Sequence, residues 1–77
     1  MIRVRLLERA GCGLCAEAHA ALQRLARRRD LAVERIDVGD DPHYLLRVPV
    51  LAVDERELDA AGLEEGGIAR WLDEVAP

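Results

Sequence analysis

The stretch IRVRLLERAGCGLC at residues 2–15 changes from a strand-like to a helix-like pattern. Apolar side chains alternate with arginines over residues 2–7, and this period of two predicts a β-strand. Ala10-Gly11 breaks the alternation. From about residue 12 or 13 to residue 29, apolar side chains recur at helical spacing and predict an α-helix, whose buried stripe we expect to be Leu14, Ala18, Leu22 and Leu25.

The rest of the chain predicts an α/β fold in a single domain over residues 1–77. Strands are predicted at residues 31–38, 48–53 and 56–60, a short helical turn at 42–46, and a last helix at 63–75. We expect that last helix to bury Ile68, Trp71, Leu72 and Val75. The order is β-α-β-(short α)-β-β-α, and the helix between the first two strands predicts that they are parallel.

Arg3 and Arg5 in the first strand indicate that one face of the sheet is poorly covered. A central strand of an α/β sheet is normally apolar on both faces, because helices pack on each side. The short segment at residues 42–46 explains the departure, since it leaves little chain to cover the face that carries the two arginines.

The composition excludes several kinds of catalytic site, because the chain contains no Lys, Ser, Thr or Asn. It has no Ser/His/Asp triad, no lysine for a Schiff base and no phosphate-binding loop ending in Lys-Ser/Thr. The side chains that remain for chemistry are two Cys, two His, the acids, the arginines and Tyr44. Cysteine is therefore the main nucleophile available.

The charge and hydropathy patterns point to a cytoplasmic protein that binds neither nucleic acid nor membranes. The net charge is −4, and the chain has only one Trp and one Tyr, a poor composition for binding nucleic acid. Residues 1–9 lack the apolar run of a signal peptide, and no segment approaches the ~18–20 apolar residues of a membrane span. Thiols in the cytoplasm stay reduced, so a close cysteine pair there is typically catalytic or metal-binding.

Cys12 and Cys15 are spaced three apart at the start of the first predicted helix, which brings both sulfurs to one helical face. The amides and partial positive charge of a helix N-terminus lower a cysteine pKa from about 8.5 to roughly 3.5–7.5. We expect Cys12, at the helix tip, to attack a target disulfide as a thiolate. Cys15 is expected to be more buried and to resolve the mixed disulfide. The pair therefore predicts a thiol–disulfide oxidoreductase.

Alternatives to this interpretation remain, among them a domain that is redox-competent but has no physiological substrate. Cys12, Cys15 and His19 share a helical face, which suits a non-catalytic binding module holding zinc or an iron–sulfur cluster. A structural zinc needs four ligands, and only His43 or an acid offers the fourth, so we expect no metal. The plainer alternative is a chance pair of buried cysteines, with both histidines at the surface.

The pattern resembles the glutaredoxin branch of the thioredoxin superfamily. The resemblance rests on Cys-x-x-Cys after the first strand, Val48-Pro49 opening the third, a hairpin and a closing helix. More narrowly, IDVGDDP at residues 36–42 followed by VPVL at residues 48–51 is similar to a small bacterial glutaredoxin-like family. The similarity extends over nearly the whole chain.

This resemblance implies a thioredoxin-like three-layer fold with a four-stranded mixed sheet in the order 2-1-3-4. It implies a cis Val48–Pro49 bond beside the cysteines, with the Val48 backbone pairing with an extended peptide or with glutathione. Arg9 stands where glutaredoxins often carry a Lys that favours the thiolate and binds a carboxylate of glutathione. The expected function is disulfide exchange in cell redox homeostasis, by a monomer without a resident cofactor. The expected partner is a disulfide-containing protein or glutathione, with glutathione a candidate co-substrate.

Three positions depart from the glutaredoxin pattern. Gly13-Leu14 replaces the usual Pro-Tyr between the cysteines, and Arg47 replaces the usual Thr before Val-Pro. The glutathione-binding Gly-x-Asp motif before the last helix has as its nearest counterpart Glu65-Gly66-Gly67-Ile68.

Overall fold

A computed structural model describes all 77 residues. They form one four-stranded sheet and two helices, joined by turns and loops. The elements are β1 (Ile2–Glu8), α1 (Gly13–Ala26), β2 (Leu31–Asp37), β3 (Val50–Val53), β4 (Arg56–Asp59) and α2 (Glu65–Val75). The sheet order is β2-β1-β3-β4, with β1 parallel to β2, and with β3 antiparallel to both β1 and β4. The predicted α/β fold and strand order are confirmed. Neither helix has the length and apolar character needed to cross a lipid bilayer.

Both helices pack on the same face of the sheet and enclose the hydrophobic core. The register pairs Leu6 with Leu51, so their side chains point to one face together with those of Val4 and Val53. The core residues are Val4, Leu6, Ala18, Ala21, Leu22, Leu25, Leu31, Leu51, Val53, Ala60, Ile68, Trp71 and Leu72. The apolar period of the sequence thus coincides with the packed face of each helix.

The opposite face of the sheet is covered only by the segment that joins β2 to β3. The predicted short helical turn at residues 42–46 forms consecutive turns. The backbone N–H groups of Tyr44 and Leu45 donate to the Asp41 carbonyl, and those of Arg47 and Val48 donate to the Tyr44 carbonyl. This segment is the whole third layer. Arg3 stays exposed, while the guanidinium of Arg5 donates to the carbonyl of Asp54. The arginines therefore lie on the poorly covered face, as the sequence predicts.

Several element boundaries differ from the predicted ones. Helix α1 ends at Ala26 rather than at residue 29, because Arg27 and Arg28 donate to carbonyls three residues earlier and tighten the chain into turns. Strand β3 begins at Val50 and not at residue 48, and α2 begins at Glu65 and not at residue 63. Strands β2 and β4 are each one residue shorter than predicted at the carboxyl end.

One burial prediction is wrong. Leu14 has the correct helical spacing for the buried stripe, but it is 45% exposed, because its neighbour Cys15 has a spacing that fits the same stripe and takes the buried position. Cys15 occupies the buried position there, at 1% exposure. Val75, in the last turn of α2, is partly buried and packs against the core.

Ion pairs link α1 and its C-terminal turn to α2. Arg24 and Arg28 contact the two carboxylate oxygens of Glu65 at 2.6 and 2.8 Å, and Arg29 bonds to Asp73. The hydrogen bond from Arg24 is the main cause that lowers the pKa of Glu65, and the bond from Arg29 lowers the pKa of Asp73. The two helices are therefore held together by charge as well as by the core.

Candidate redox site

Cys12 is the N-cap residue of α1. Gly11, with a φ of +73°, supplies the left-handed turn that brings the chain into the helix. Cys12 itself is extended, and its sulfur accepts a hydrogen bond from the backbone N–H of Cys15 at 3.1 Å. This capping position gives the sulfur an amide donor and the positive end of the helix dipole, which both favour a thiolate.

The two cysteines form a close but unequal pair. Their Cα atoms lie 5.2 Å apart and their sulfurs lie at disulfide distance. Cys12 is half-buried, whereas Cys15 is 1% exposed. An incoming sulfur can therefore reach Cys12 more readily than Cys15, which is the asymmetry that stepwise disulfide exchange uses.

Val48 and Pro49 lie at the carboxyl end of β1, the end at which the chain turns into the cysteines. The register pairs Leu7 with Val50 in antiparallel strands, so Val48 and Pro49 lie beside the residues that follow Leu7. The Val48–Pro49 peptide bond is cis, and the Pro49 side chain is fully buried. The Val48 N–H donates to the carbonyl of Tyr44 at 3.1 Å, which leaves only the Val48 carbonyl free to pair with another chain.

Arg9 connects the cysteine turn to the β2–β3 segment. Its guanidinium donates to the carbonyl of Leu45 at 3.1 Å, and the side chain is exposed. Arg9 and Cys12 line the same surface depression, which has a volume of about 450 Å³. Arg9 forms no ion pair with a carboxylate, although Asp37 also lines the depression.

Arg35 and Glu8 line the same depression and form an ion pair. The Arg35 guanidinium donates two hydrogen bonds to the Glu8 carboxylate, at 2.6 and 3.1 Å. These hydrogen bonds raise the pKa of Arg35. Because this arginine is matched by an acid, Arg9 is the cation of the depression that remains available to an anion.

Arg47 is a residue whose role the sequence did not reveal. Its guanidinium bonds to the carboxylates of Glu57 and Asp59 on β4 at 3.1 and 2.9 Å, and lies 3.0 Å from Nε2 of His43. The Tyr44 hydroxyl donates to the same Glu57 at 2.6 Å. These bonds fasten the segment before Val48 to the sheet. The one signal in the sequence is the presence of Arg where glutaredoxins usually have Thr.

Neither histidine joins the cysteines in a metal site. No group of three or more His, Cys, Asp or Glu side chains lies close enough together to hold a metal ion. His43 contacts Arg47 and stacks edge-on against Tyr44, with ring centroids 4.5 Å apart. His19 is half-buried on α1. The ligand set of the metal-binding alternative is therefore not assembled.

Comparison with known proteins agrees with the geometry of the cysteine pair. None of the curated proteins compared with the chain matches it. Residues 3–73 match the family model of the glutaredoxin-like domain (DUF836). The match includes both cysteines and all six elements, apart from the first residue of β1 and the last two residues of α2. The chain therefore belongs to the glutaredoxin-like domain family.

Proposed function

We propose that the protein is a thiol–disulfide oxidoreductase whose Cys12/Cys15 dithiol reduces or exchanges disulfides. The observation that carries this proposal is the environment of the Cys12 sulfur. This sulfur accepts a hydrogen bond from the Cys15 N–H at the start of α1, while the Cys15 side chain is buried. The family match supports the proposal independently. The expected setting is a reducing compartment, the cytoplasm, in which the dithiol can be regenerated.

The proposed reaction passes two electrons from the dithiol to the substrate. The Cys12 thiolate attacks one sulfur of the substrate disulfide, and the other substrate sulfur leaves as a thiolate that takes a proton from water. Cys15 then attacks the Cys12 sulfur, and the second substrate sulfur leaves with the proton that Cys15 gives up. The substrate ends as two thiols and the protein as the Cys12–Cys15 disulfide. A cellular thiol such as glutathione would reduce this disulfide again.

Two neighbouring groups are proposed to position the substrate. The free carbonyl of Val48 would accept one backbone hydrogen bond from an extended peptide, with buried Pro49 fixing the turn beside it. Arg9 would stabilise the Cys12 thiolate and attract a substrate carboxylate, since its charge is not matched by an acid.

Two cysteine variants test the assignment of roles. Cys12→Ser is expected to abolish exchange, because the attacking thiolate is lost. Cys15→Ser is expected to accumulate a mixed disulfide with the substrate on Cys12, detectable as the added substrate mass under non-reducing conditions. Exchange that survives in Cys12→Ser would contradict the proposal.

Metal analysis provides the control for the binding-module alternative. Protein purified under reducing conditions is expected to contain no stoichiometric zinc or iron. Stoichiometric metal that is lost in Cys12→Ala would show instead that the cysteines serve as ligands.

A further inference from the structure

A groove between α1 and the β4–α2 loop extends away from the cysteine pair. It has a volume of about 360 Å³, and we call it the α1–α2 groove. Six of its lining residues are apolar: Leu14, Ala18, Ala20, Ala21, Ala60 and Leu63. Neither cysteine lines the groove, but Leu14 stands between the two cysteines in the sequence, so one end of the groove is next to the cysteine pair.

The two leucines of this groove are exposed. Leu14 is 45% exposed and Leu63 is 38% exposed, and they belong to the only four large apolar side chains that are exposed in the whole chain. Exposed apolar side chains gathered in a concave surface at a reaction centre are typical of a contact with an apolar group of a partner. The groove therefore suits an apolar side chain of the substrate.

The charges at the rim of the groove are predominantly negative. Among its four charged residues, Arg24 and Glu65 form an ion pair at 2.6 Å, which removes both from consideration. Glu17 and Glu64 form no ion pair, and Glu64 makes no capping bond to α2. These carboxylates also offset the positive N-terminal end of α2, so the groove has little to attract an anion.

We propose that the α1–α2 groove selects polypeptide disulfides that carry an apolar side chain and a Lys or Arg near the reacting cysteine. This inference rests on the proposed function and adds the substrate class. The apolar side chain packs on Leu14 and Leu63, and the cation lies against Glu17 and Glu64. Glutathione is disfavoured in this groove, because its carboxylates outnumber its ammonium group.

Binding to the groove is tested without redox chemistry. Two amidated peptides share a leucine, carry Ser in place of Cys and differ only in a neighbouring Lys or Glu. They are titrated into the ¹⁵N-labelled protein. The Lys peptide is expected to shift the amides of Leu14, Glu17 and Leu63, and to bind on the order of fivefold more tightly than the Glu peptide. Equal affinities, or shifts confined to other surfaces, would overturn the proposal.

Paired charge variants locate the source of the preference. Glu17→Gln with Glu64→Gln is expected to reduce the preference to nearly one. Glu55→Gln with Glu74→Gln removes the same charge from exposed positions outside the groove and is expected to keep it. If the preference for the Lys peptide falls equally in both double variants, it is an effect of net charge alone, and the proposal for the groove is refuted.

The disulfide forms of the same peptides separate this inference from the proposed function. The kcat/KM ratio of the Lys and Glu disulfides is expected to follow the binding ratio. If no disulfide is reduced while the Lys peptide still binds preferentially, the oxidoreductase proposal fails and the groove stands as a peptide site. If both disulfides are reduced equally and bind equally, the oxidoreductase stands and the groove proposal fails.

Discussion

Arg9 is the residue whose charge is most directly available to the Cys12 sulfur, since both line one depression and Arg35 there is already matched by Glu8. Arg9→Gln is expected to slow disulfide exchange by roughly two- to fivefold, because an exposed charge contributes modestly to stabilising a nearby anion. The rate is measured with a small disulfide at low ionic strength.

Arg56→Gln is the matched control for Arg9, because Arg56 is exposed on β4 and forms no ion pair or hydrogen bond through its side chain. It is expected to leave the rate unchanged. The difference between the two variants should shrink as salt is added, since exposed charges are screened. A rate in Arg9→Gln that equals that of Arg56→Gln would remove Arg9 from the site.

Geometry that depends on local sequence can be predicted, whereas contacts that depend on tertiary neighbours cannot. The close pairing of Cys12 and Cys15 at the start of α1 follows from a strand-to-helix junction that is visible in a few consecutive residues. The exposure of Leu14 is not predictable in this way, because helical spacing alone allows either Leu14 or Cys15 to begin the buried stripe. Arg47 was missed because its partners Glu57 and Asp59 come from a distant strand.

At the scale of elements, α2 contains two adjacent glycines that differ in their surroundings. A Cβ added at Gly66 would meet only the end of the Arg70 side chain at 3.9 Å, whereas one at Gly67 would lie 2.8 Å from Leu63 Cδ1. Gly66→Ala is therefore expected to raise the free energy of unfolding by about 0.5–1 kcal/mol through helix propensity. Gly67→Ala is expected to gain less or to destabilise, because Leu63 must move.

Denaturant unfolding of the two glycine variants measures this difference, and each serves as the control of the other. Equal stabilisation by both alanines would show that Leu63 does not pack over Gly67. The same pair bears on the α1–α2 groove, because only the Gly67 variant displaces a leucine that lines it.

The types and order of the helices and strands were predictable, while several of their ends were not. The helical period of α1 and the alternation of β1 are local and strong. The end of α1 is limited by the parallel pairing of Leu31 with Ile2. The start of β3 is limited by the hydrogen bond from the Val48 N–H to the Tyr44 carbonyl. Such limits come from hydrogen bonds between segments, which a local pattern does not contain.

For the molecule as a whole, the ion pairs between segments predict how stability depends on pH. Glu57, Glu65 and Asp73 have pKa values lowered in the folded state, chiefly by hydrogen bonds from Tyr44, Arg24 and Arg29 respectively. A lowered folded-state pKa stabilises the protein above the ordinary pKa, and that contribution is lost as pH falls through the folded-state value. Stability should therefore decline below about pH 4.

The pKa of Tyr44 is shifted in the opposite direction, so the dependence of stability on alkaline pH provides a separate test. The hydrogen bond to Glu57 raises the pKa of Tyr44 above its ordinary value of 10.0. Its contribution is complete below that value and is lost as pH rises through the folded-state pKa. Tyr44→Phe is therefore expected to flatten the decline in stability above about pH 10, while the acid decline set by Glu65 and Asp73 remains. Denaturant unfolding of the oxidised protein across both pH ranges measures this, with Glu65→Gln as the reciprocal control that weakens the acid decline and leaves the alkaline one. An alkaline decline of unchanged size in Tyr44→Phe would mean that the bond to Glu57 does not hold the segment before Val48 against the sheet in solution.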